Sequence, residues 1–127
     1  GMSGKVLLVT FEDEKLNDFK VETIFIGIKN SLTEIKKLKN GKFVVSGNGG
    51  VISIIDMENK TTETCIRGDR LSNTSVIEID RDQYLLSGEK GFRSHSMEEC
   101  QKNFEDADSN SKDMWMKNSF QYLDANL

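Results

Sequence analysis

The sequence lacks a long apolar run of the kind that crosses a membrane. No segment approaches the roughly 18 consecutive apolar residues that a spanning helix needs. The first residues also lack a basic segment followed by an apolar stretch and a small-residue cleavage site, which is the pattern of a secretory signal. We therefore expect a soluble, cytoplasmic protein with no membrane partner.

The sequence also lacks an excess of positive charge. The chain carries 17 Lys and Arg residues against 21 Asp and Glu residues, which gives a formal net charge of -4 at pH 7. Nucleic-acid-binding domains usually cluster Lys and Arg on a basic background, and an acidic surface repels phosphate. The composition therefore argues against a nucleic-acid partner.

Residues that carry catalytic or metal chemistry are few. His95 is the only histidine, which excludes a multi-histidine metal site, and Ser94 and Ser96 fall on the opposite face of a strand from its imidazole. Cys65 and Cys100 fit neither the disulfide framework of a small secreted domain nor a paired metal-ligand spacing, so we expect both to be reduced thiols. Without an assembled nucleophile, base or metal set, the sequence predicts a non-enzymatic protein that uses no metal and no cofactor.

What the sequence does contain is an internal repeat. Residues 46–53 align with residues 87–94 at an offset of 41, and residues 32–35 align with residues 76–79 at an offset of 44. The three-residue difference between the offsets places an insertion in a loop, as is usual in a repeat array. A period of about 40 to 45 residues is typical of propeller blades.

The segments between turn-forming residues are rich in β-branched and aromatic side chains, which predicts a chain composed mainly of strands. The pair Asn48-Gly49 predicts a tight hairpin turn, because both residues tolerate a positive φ. The predicted strands cover residues 5–11, 19–26, 32–38, 42–46, 51–57, 61–66, 74–79, 83–87, 92–97, 101–104, 114–116 and 121–123.

One segment, residues 31–39, also fits the pattern of a helix. Ser31 and Glu34 have the spacing of a capping box, and apolar residues recur at every third position before a glycine. The repeat favours a strand here, because the corresponding residues 74–82 have the composition of a strand. If the segment were helical, the fold class would change from all-β to a small α+β domain.

Residues 43–57 resemble the second and third strands of a blade in the WD-repeat family of β-propellers. The pair Ile55-Asp56 stands where that family has its Trp-Asp pair, and the resemblance extends over roughly residues 5–97. It implies an all-β, partial propeller of four-stranded antiparallel blades, and a role as a scaffold for protein–protein interaction. The alternatives are a lectin-like, ligand-binding propeller and a fragment of a larger propeller-containing protein.

The predicted strands amount to three blades in a single domain, residues 1–127, whose first and last blades are split. A propeller closes with about four to eight blades, so three blades leave open strand edges. Two copies complete a ring if residues 5–26 of one copy lie beside residues 114–123 of the other. We therefore expect self-association into a homodimer, in addition to a protein partner that binds the finished disc.

Candidate partner-binding residues lie in one loop and in one late apolar segment. Arg67, Asp69 and Arg70 are charged loop residues that packing does not require, so we interpret them as partner-recognition positions. Trp115, between two methionines, is either an anchor for a partner or a plug in a core or a subunit seam. It is the only tryptophan, whereas a lectin-like propeller repeats its aromatic residue in every blade.

Overall fold

The computed structural model describes residues 3–11, 18–68 and 71–123, and these residues are mostly strand, which confirms a predominantly β chain. Within them, one α-helix and a 3₁₀ turn at Asn48–Gly50 are the helical elements. The strands are β1 Lys5–Phe11, β2 Phe19–Phe25, β3 Leu32–Lys37, β4 Phe43–Gly47, β5 Val51–Asp56, β6 Thr61–Ile66, β7 Asn73–Asp80, β8 Gln83–Gly88, β9 Gly91–His95, β10 Met114–Ser119 and β11 Gln121–Leu123, and the helix α1 is Met97–Glu105.

The strands form three antiparallel sheets, none of which closes on itself. Sheet A has the order β1-β2-β11, sheet B has the order β10-β6-β5-β4-β3, and sheet C has the order β7-β8-β9. Sheet B therefore has one strand more than the four expected of a blade, and sheet C has one strand fewer.

Sheet B lies between the other two sheets, and its central strand shows why. All six residues of β5 are buried, and successive side chains of a strand point to opposite faces. Val51 and Ile55 join a core against which Val6 of sheet A packs. Ile52 joins a second core with Leu86 of sheet C. The chain is therefore a three-layered stack in the order A, B, C.

The repeat is visible in the pairing of strands. Ile35 lies opposite Val45 in β3 and β4, and Val76 lies opposite Leu86 in β7 and β8, so equivalent positions are 41 residues apart. Both pairs also have a register irregularity after their first partners, Leu32–Gly47 and Asn73–Gly88. The 44-residue alignment of residues 32–35 with 76–79 is therefore wrong, because the offset of 41 already holds in this part of the repeat.

The hairpin turn predicted at Asn48-Gly49 is present, and a second hairpin turn lies at the equivalent position of the repeat, between β8 and β9. Gly49 and Gly50 have φ of 72° and 74° before β5, and Gly91 has φ of 97° at the start of β9, conformations that favour glycine. The second turn is one residue shorter, since Val45 pairs with Ser53 whereas its equivalent Leu86 pairs with Arg93. The hairpin prediction is confirmed, but only the first turn belongs to a sheet with at least four strands.

The ambiguous residues 31–39 contain a strand, β3, as the repeat predicted. Leu32 is buried in the core between sheets A and B, whereas Ile35 is half exposed, and a helix would place these two residues on the same face. Glu34 forms an ion pair with Lys36 at 2.9 Å instead of capping a helix. A hydrogen bond from Ser75 in the neighbouring sheet helps to lower the pKa of Glu34. Tertiary pairing therefore overrides the local capping pattern.

The predicted short strand at residues 101–104 is wrong, because these residues lie in α1. Ser96 caps the helix by accepting a hydrogen bond from the amide of Glu99 at 3.2 Å. The carboxylate of Asp82 accepts bonds from the Met97 and Glu98 amides at 3.0 and 3.1 Å, which complements the positive end of the helix dipole. The described residues contain no helix with the length and apolar character needed to cross a bilayer.

Cys65 in β6 and Cys100 in α1 form a disulfide, so the expectation of two reduced thiols is wrong. Both residues are buried in the core between sheets B and C. They are 35 residues apart in the chain, a spacing that matches no local motif. The pairing follows from the fold, because α1 packs against β6 and β10.

The segments 114–116 and 121–123 are strands, as predicted, but their pairing differs from the prediction. β10 pairs with β6, with Trp115 opposite Cys65, and does not begin a new blade. β11 pairs with β2, with Gln121 opposite Phe25 of the same chain. The contact expected between two copies through residues 5–26 and 114–123 is therefore formed within one chain by residues 121–123.

Candidate interaction surface

The hairpin β1–β2 presents an uncovered apolar face on the outside of sheet A. Val6 packs toward sheet B, so alternation turns the odd-numbered residues of β1 outward. Val9 lies opposite Val21, and Phe11 lies opposite Phe19. The two phenylalanine rings are 6.2 Å apart between centroids. We call the exposed set the hairpin face, and it consists of Leu7, Val9, Phe11, Phe19 and Val21.

The hairpin face is unusually exposed for its composition. Leu7 retains 66% of its accessible surface and Phe19 retains 60%. Single exposed apolar residues are common on protein surfaces, but a contiguous group on one sheet marks an interaction site. The face is therefore the strongest candidate for contact with another macromolecule among the described residues.

A second apolar face lies at the other end of the stack, on the outside of sheet C. Leu86 points into the core shared with sheet B, so its neighbour Leu85 points outward together with Ile77, its partner in β7. Phe92 lies on the same outer side, opposite Ser87, and is 75% exposed. We call Ile77, Leu85 and Phe92 the sheet C face.

A groove of about 520 Å³ runs between β1 and β3 beside the hairpin face. Its lining is mainly aliphatic, with a cation from Lys5 and a carboxylate from Glu34. Leu7 belongs both to the groove and to the hairpin face, and Ile35 is half exposed in the groove wall. The groove therefore extends the apolar surface of sheet A toward the edge strand of sheet B.

Arg67 was predicted to be a free charge for partner recognition, but the structure engages it within the stack. Its side chain is only 27% exposed, and its Nε lies 3.7 Å from Oδ1 of the buried Asp113. Its Nη1 lies 3.2 Å from Nδ1 of His95. The other two predicted recognition residues, Asp69 and Arg70, lie outside the described residues.

Replacing Arg67 with alanine should therefore destabilise the protein. The change leaves the Asp113 carboxylate without its cation and His95 Nδ1 without its donor, which we expect to cost about 2 kcal/mol. Arg81→Ala is the matched control, since Arg81 is exposed, and surface changes usually stay within about 0.5 kcal/mol. Urea unfolding measures both variants, and equal midpoints would show that Arg67 is a free surface charge after all.

Trp115, the fourth predicted recognition residue, is half-buried at the edge of sheet B. Its indole packs against the core between sheets B and C, and its Nε1 donates to Glu63 Oε2 at 2.8 Å. This packing and hydrogen bond account for the tryptophan without a partner. The structure thus does not bring Trp115 and Arg67 onto the hairpin face or the sheet C face.

His95 lies in the interior, and protein groups engage both of its ring nitrogens. Because the Arg67 guanidinium can only donate, Nδ1 must accept, and the proton sits on Nε2, which faces Met97 Sδ at 3.3 Å. Burial, together with the nearby Arg67 cation, lowers the pKa of His95 to about 4. In the described part of the chain, no three His, Cys, Asp or Glu residues are grouped to hold a metal ion.

The sequence contained a signal for the hairpin face that the strand prediction did not use. Residues 6–9 are apolar at both odd and even positions, whereas a strand with one solvated face alternates apolar with polar residues. The apolar residues at the outward positions Leu7, Val9 and Phe11 therefore indicate a strand that is covered on both sides.

Comparison with known proteins returns no relative for this chain. No protein-family model matches it, and no curated protein and no solved structure matches it. The resemblance to WD-repeat blades therefore depends on the sequence motif alone.

Proposed function

We propose that this chain is a non-enzymatic module for protein–protein interaction, built from WD-repeat-like propeller blades, whose outer sheets are its contact surfaces. The observation that carries the proposal is the pair of uncovered apolar faces at the two ends of the stack. Large apolar patches on soluble proteins generally mark interaction sites. The partner chemistry that fits them is another apolar protein surface.

The internal repeat supports the propeller part of the proposal. Adjacent propeller blades pack face to face around a common axis, and sheets A, B and C also pack face to face, through two apolar cores. The first strand of sheet C, β7, packs against β3 and β4 of sheet B, as neighbouring inner strands of a propeller do. The end sheets then lack the neighbours that the middle sheet has, and self-association supplies them.

A second candidate function is the binding of a small ligand, as in a lectin-like propeller. The groove of about 520 Å³ beside β1 favours it, because ligand sites commonly enclose about 300 to 1,000 Å³. No aromatic side chain lines the groove, however, and sugar sites rely on aromatic residues. The apolar faces therefore support protein contact better than the groove supports a sugar site.

The disulfide bears on the compartment. The sequence led to a cytoplasmic expectation, yet disulfides persist mainly in oxidising compartments. The Cys65–Cys100 bond thus favours a protein that folds where disulfides form, and we include this location in the proposal. The oxidation state of these two cysteines in the native protein decides between the cytoplasm and an oxidising compartment.

The proposed function predicts that the purified chain is not a monomer. Light scattering coupled to size exclusion at micromolar concentration should give twice the chain mass of 14.4 kDa, or 28.8 kDa, because the two end faces are buried by association. Dilution should convert the assembly to monomers without unfolding. A stable 14.4 kDa species at all accessible concentrations would contradict the proposal.

A further inference from the structure

We propose that the occupant of the hairpin face is the sheet C face of a second copy of this chain, so that two copies form a closed pair through two identical contacts. This inference rests on the proposed function and names its partner. Each contact joins sheet A of one copy to sheet C of the other. The sequence predicted that residues 5–26 of one copy pair with residues 114–123 of the other. That pairing has no role here, because β11 is already paired with β2 of its own chain.

The position of the two faces in the stack supports a pair of this kind. Sheets A and C lie on opposite sides of sheet B, so one chain cannot bring its own two faces together. The blades of a propeller fan around a common axis, so in the arrangement of the proposed function both faces of one copy turn toward the second copy. A two-fold pair then covers all four faces at once, with each hairpin face meeting a sheet C face. Pairing through the hairpin faces alone would leave both sheet C faces in water.

The area available also favours two contacts over one. Strands about 4.8 Å apart with a rise of about 3.3 Å per residue give a full three-stranded face of six residues a flat area of about 300 Å², and sheet A offers less because β11 has only three residues. One contact therefore covers at most about 600 Å², which is the size of a crystal-packing contact, whereas two contacts approach about 1,200 Å², the lower bound for specific interfaces. Only a closed pair comes near the size of a specific interface.

The charge on the two faces is compatible with burial. On sheet A the paired outward positions Leu7–Thr23, Val9–Val21 and Phe11–Phe19 are uncharged, and the one outward charge of β1, Lys5 opposite Phe25, lies at the end of the strand. On sheet C the outward positions Ile77, Leu85, Ser87, Phe92 and Ser94 are also uncharged. These uncharged positions therefore pack together without burying an unpaired charge, which would cost several kcal/mol, while the long side chain of Lys5 keeps its ammonium in water at the rim.

The test is a complementation experiment with opposite charges on the two faces. Val9→Glu changes the centre of the hairpin face, and Ile77→Lys changes the sheet C face. Each variant alone should associate at least about 100-fold more weakly than the unmodified chain, because each homodimer buries two unpaired charges. A mixture of the two should recover the dimer, since the heterodimer has one unmodified contact and one contact between opposite charges.

Native mass spectrometry identifies the heterodimer by its mass, and thermal melting shows whether each variant is folded. Thr10→Glu is the matched control, because Thr10 neighbours Val9 but points to the other side of β1, opposite Lys20. This control should stay dimeric. If Val9→Glu is also dimeric, or if the mixture stays monomeric, the inference is wrong while the proposed function stands.

Two further outcomes would overturn the inference in distinct ways. Loss of association in Val9→Glu but not in Ile77→Lys would mean that hairpin faces pair with each other. Species that grow without limit as concentration rises would mean an open chain of contacts instead of a closed pair. A monomeric unmodified chain, in contrast, would contradict the proposed function itself.

Discussion

Removing the Cys65–Cys100 disulfide should lower the free energy of unfolding by about 3 to 4 kcal/mol. The bond closes a loop over a sequence separation of 35 residues, and its largest effect is to restrict the unfolded chain. The melting temperature should fall by about 10 °C or more, as expected for a chain of this size. Urea unfolding of the double variant C65A/C100A measures the loss.

The reducing agent provides the matched control for this experiment. Dithiothreitol should destabilise the unmodified chain by a similar amount and leave C65A/C100A unchanged, because the variant has no bond to reduce. The single variants should each lose nearly as much stability as the double variant, since either change breaks the same bond. Equal sensitivity of both proteins to dithiothreitol would show that the bond does not form.

The strands were predictable from the sequence because their signals are local. Runs of β-branched residues beside glycine turns mark β4 and β5, and the repeat favoured a strand over a capped helix for β3. The helix α1 carried its own local signal, Ser96 three residues before Glu99, and the strand reading of residues 101–104 overlooked it. Local sequence signals therefore indicate nearly every strand and helix, including α1, which was predicted as a strand.

The pairing of distant segments was not predictable, because no local signal specifies it. The repeat predicted that residues 114–116 and 121–123 form the first two strands of another blade. Instead, β10 pairs at the edge of sheet B and β11 pairs at the edge of sheet A. The disulfide follows from the same long-range packing of α1 against β6 and β10.

The candidate interaction surface also depends on long-range packing that no local sequence signal specifies. Charge and loop position suggested Arg67, yet its neighbours Asp113 and His95 come from segments 46 and 28 residues away in the chain. The hairpin face became visible only once sheet A was placed at the end of the stack, because a strand that is apolar on both sides looks like a core strand in the sequence. The exposure of these apolar side chains identifies the hairpin face, and it depends on whether sheet A has a neighbouring sheet on that side.

Acidification between about pH 6.5 and pH 4 should cost about 3 kcal/mol of stability through His95 alone. Burial, with the Arg67 cation, lowers its pKa in the folded state from 6.5 to about 4. The unfolded chain therefore binds a proton in this window that the folded chain does not. Stability from this residue is complete above about pH 6.5 and is lost as the pH falls toward the folded pKa.

His95→Gln is the matched variant, since an amide accepts from Arg67 and donates toward Met97 as the neutral imidazole does. The urea midpoint of the unmodified chain should fall steadily between about pH 6.5 and pH 5, whereas that of the variant should stay nearly constant. The pKa values of Glu34 and Asp56 are lowered from 4.5 and 3.8, so the stability they add is lost at more acidic pH. Because His95 is the only histidine, a parallel decline in both proteins would mean that the ring is not buried in its neutral form.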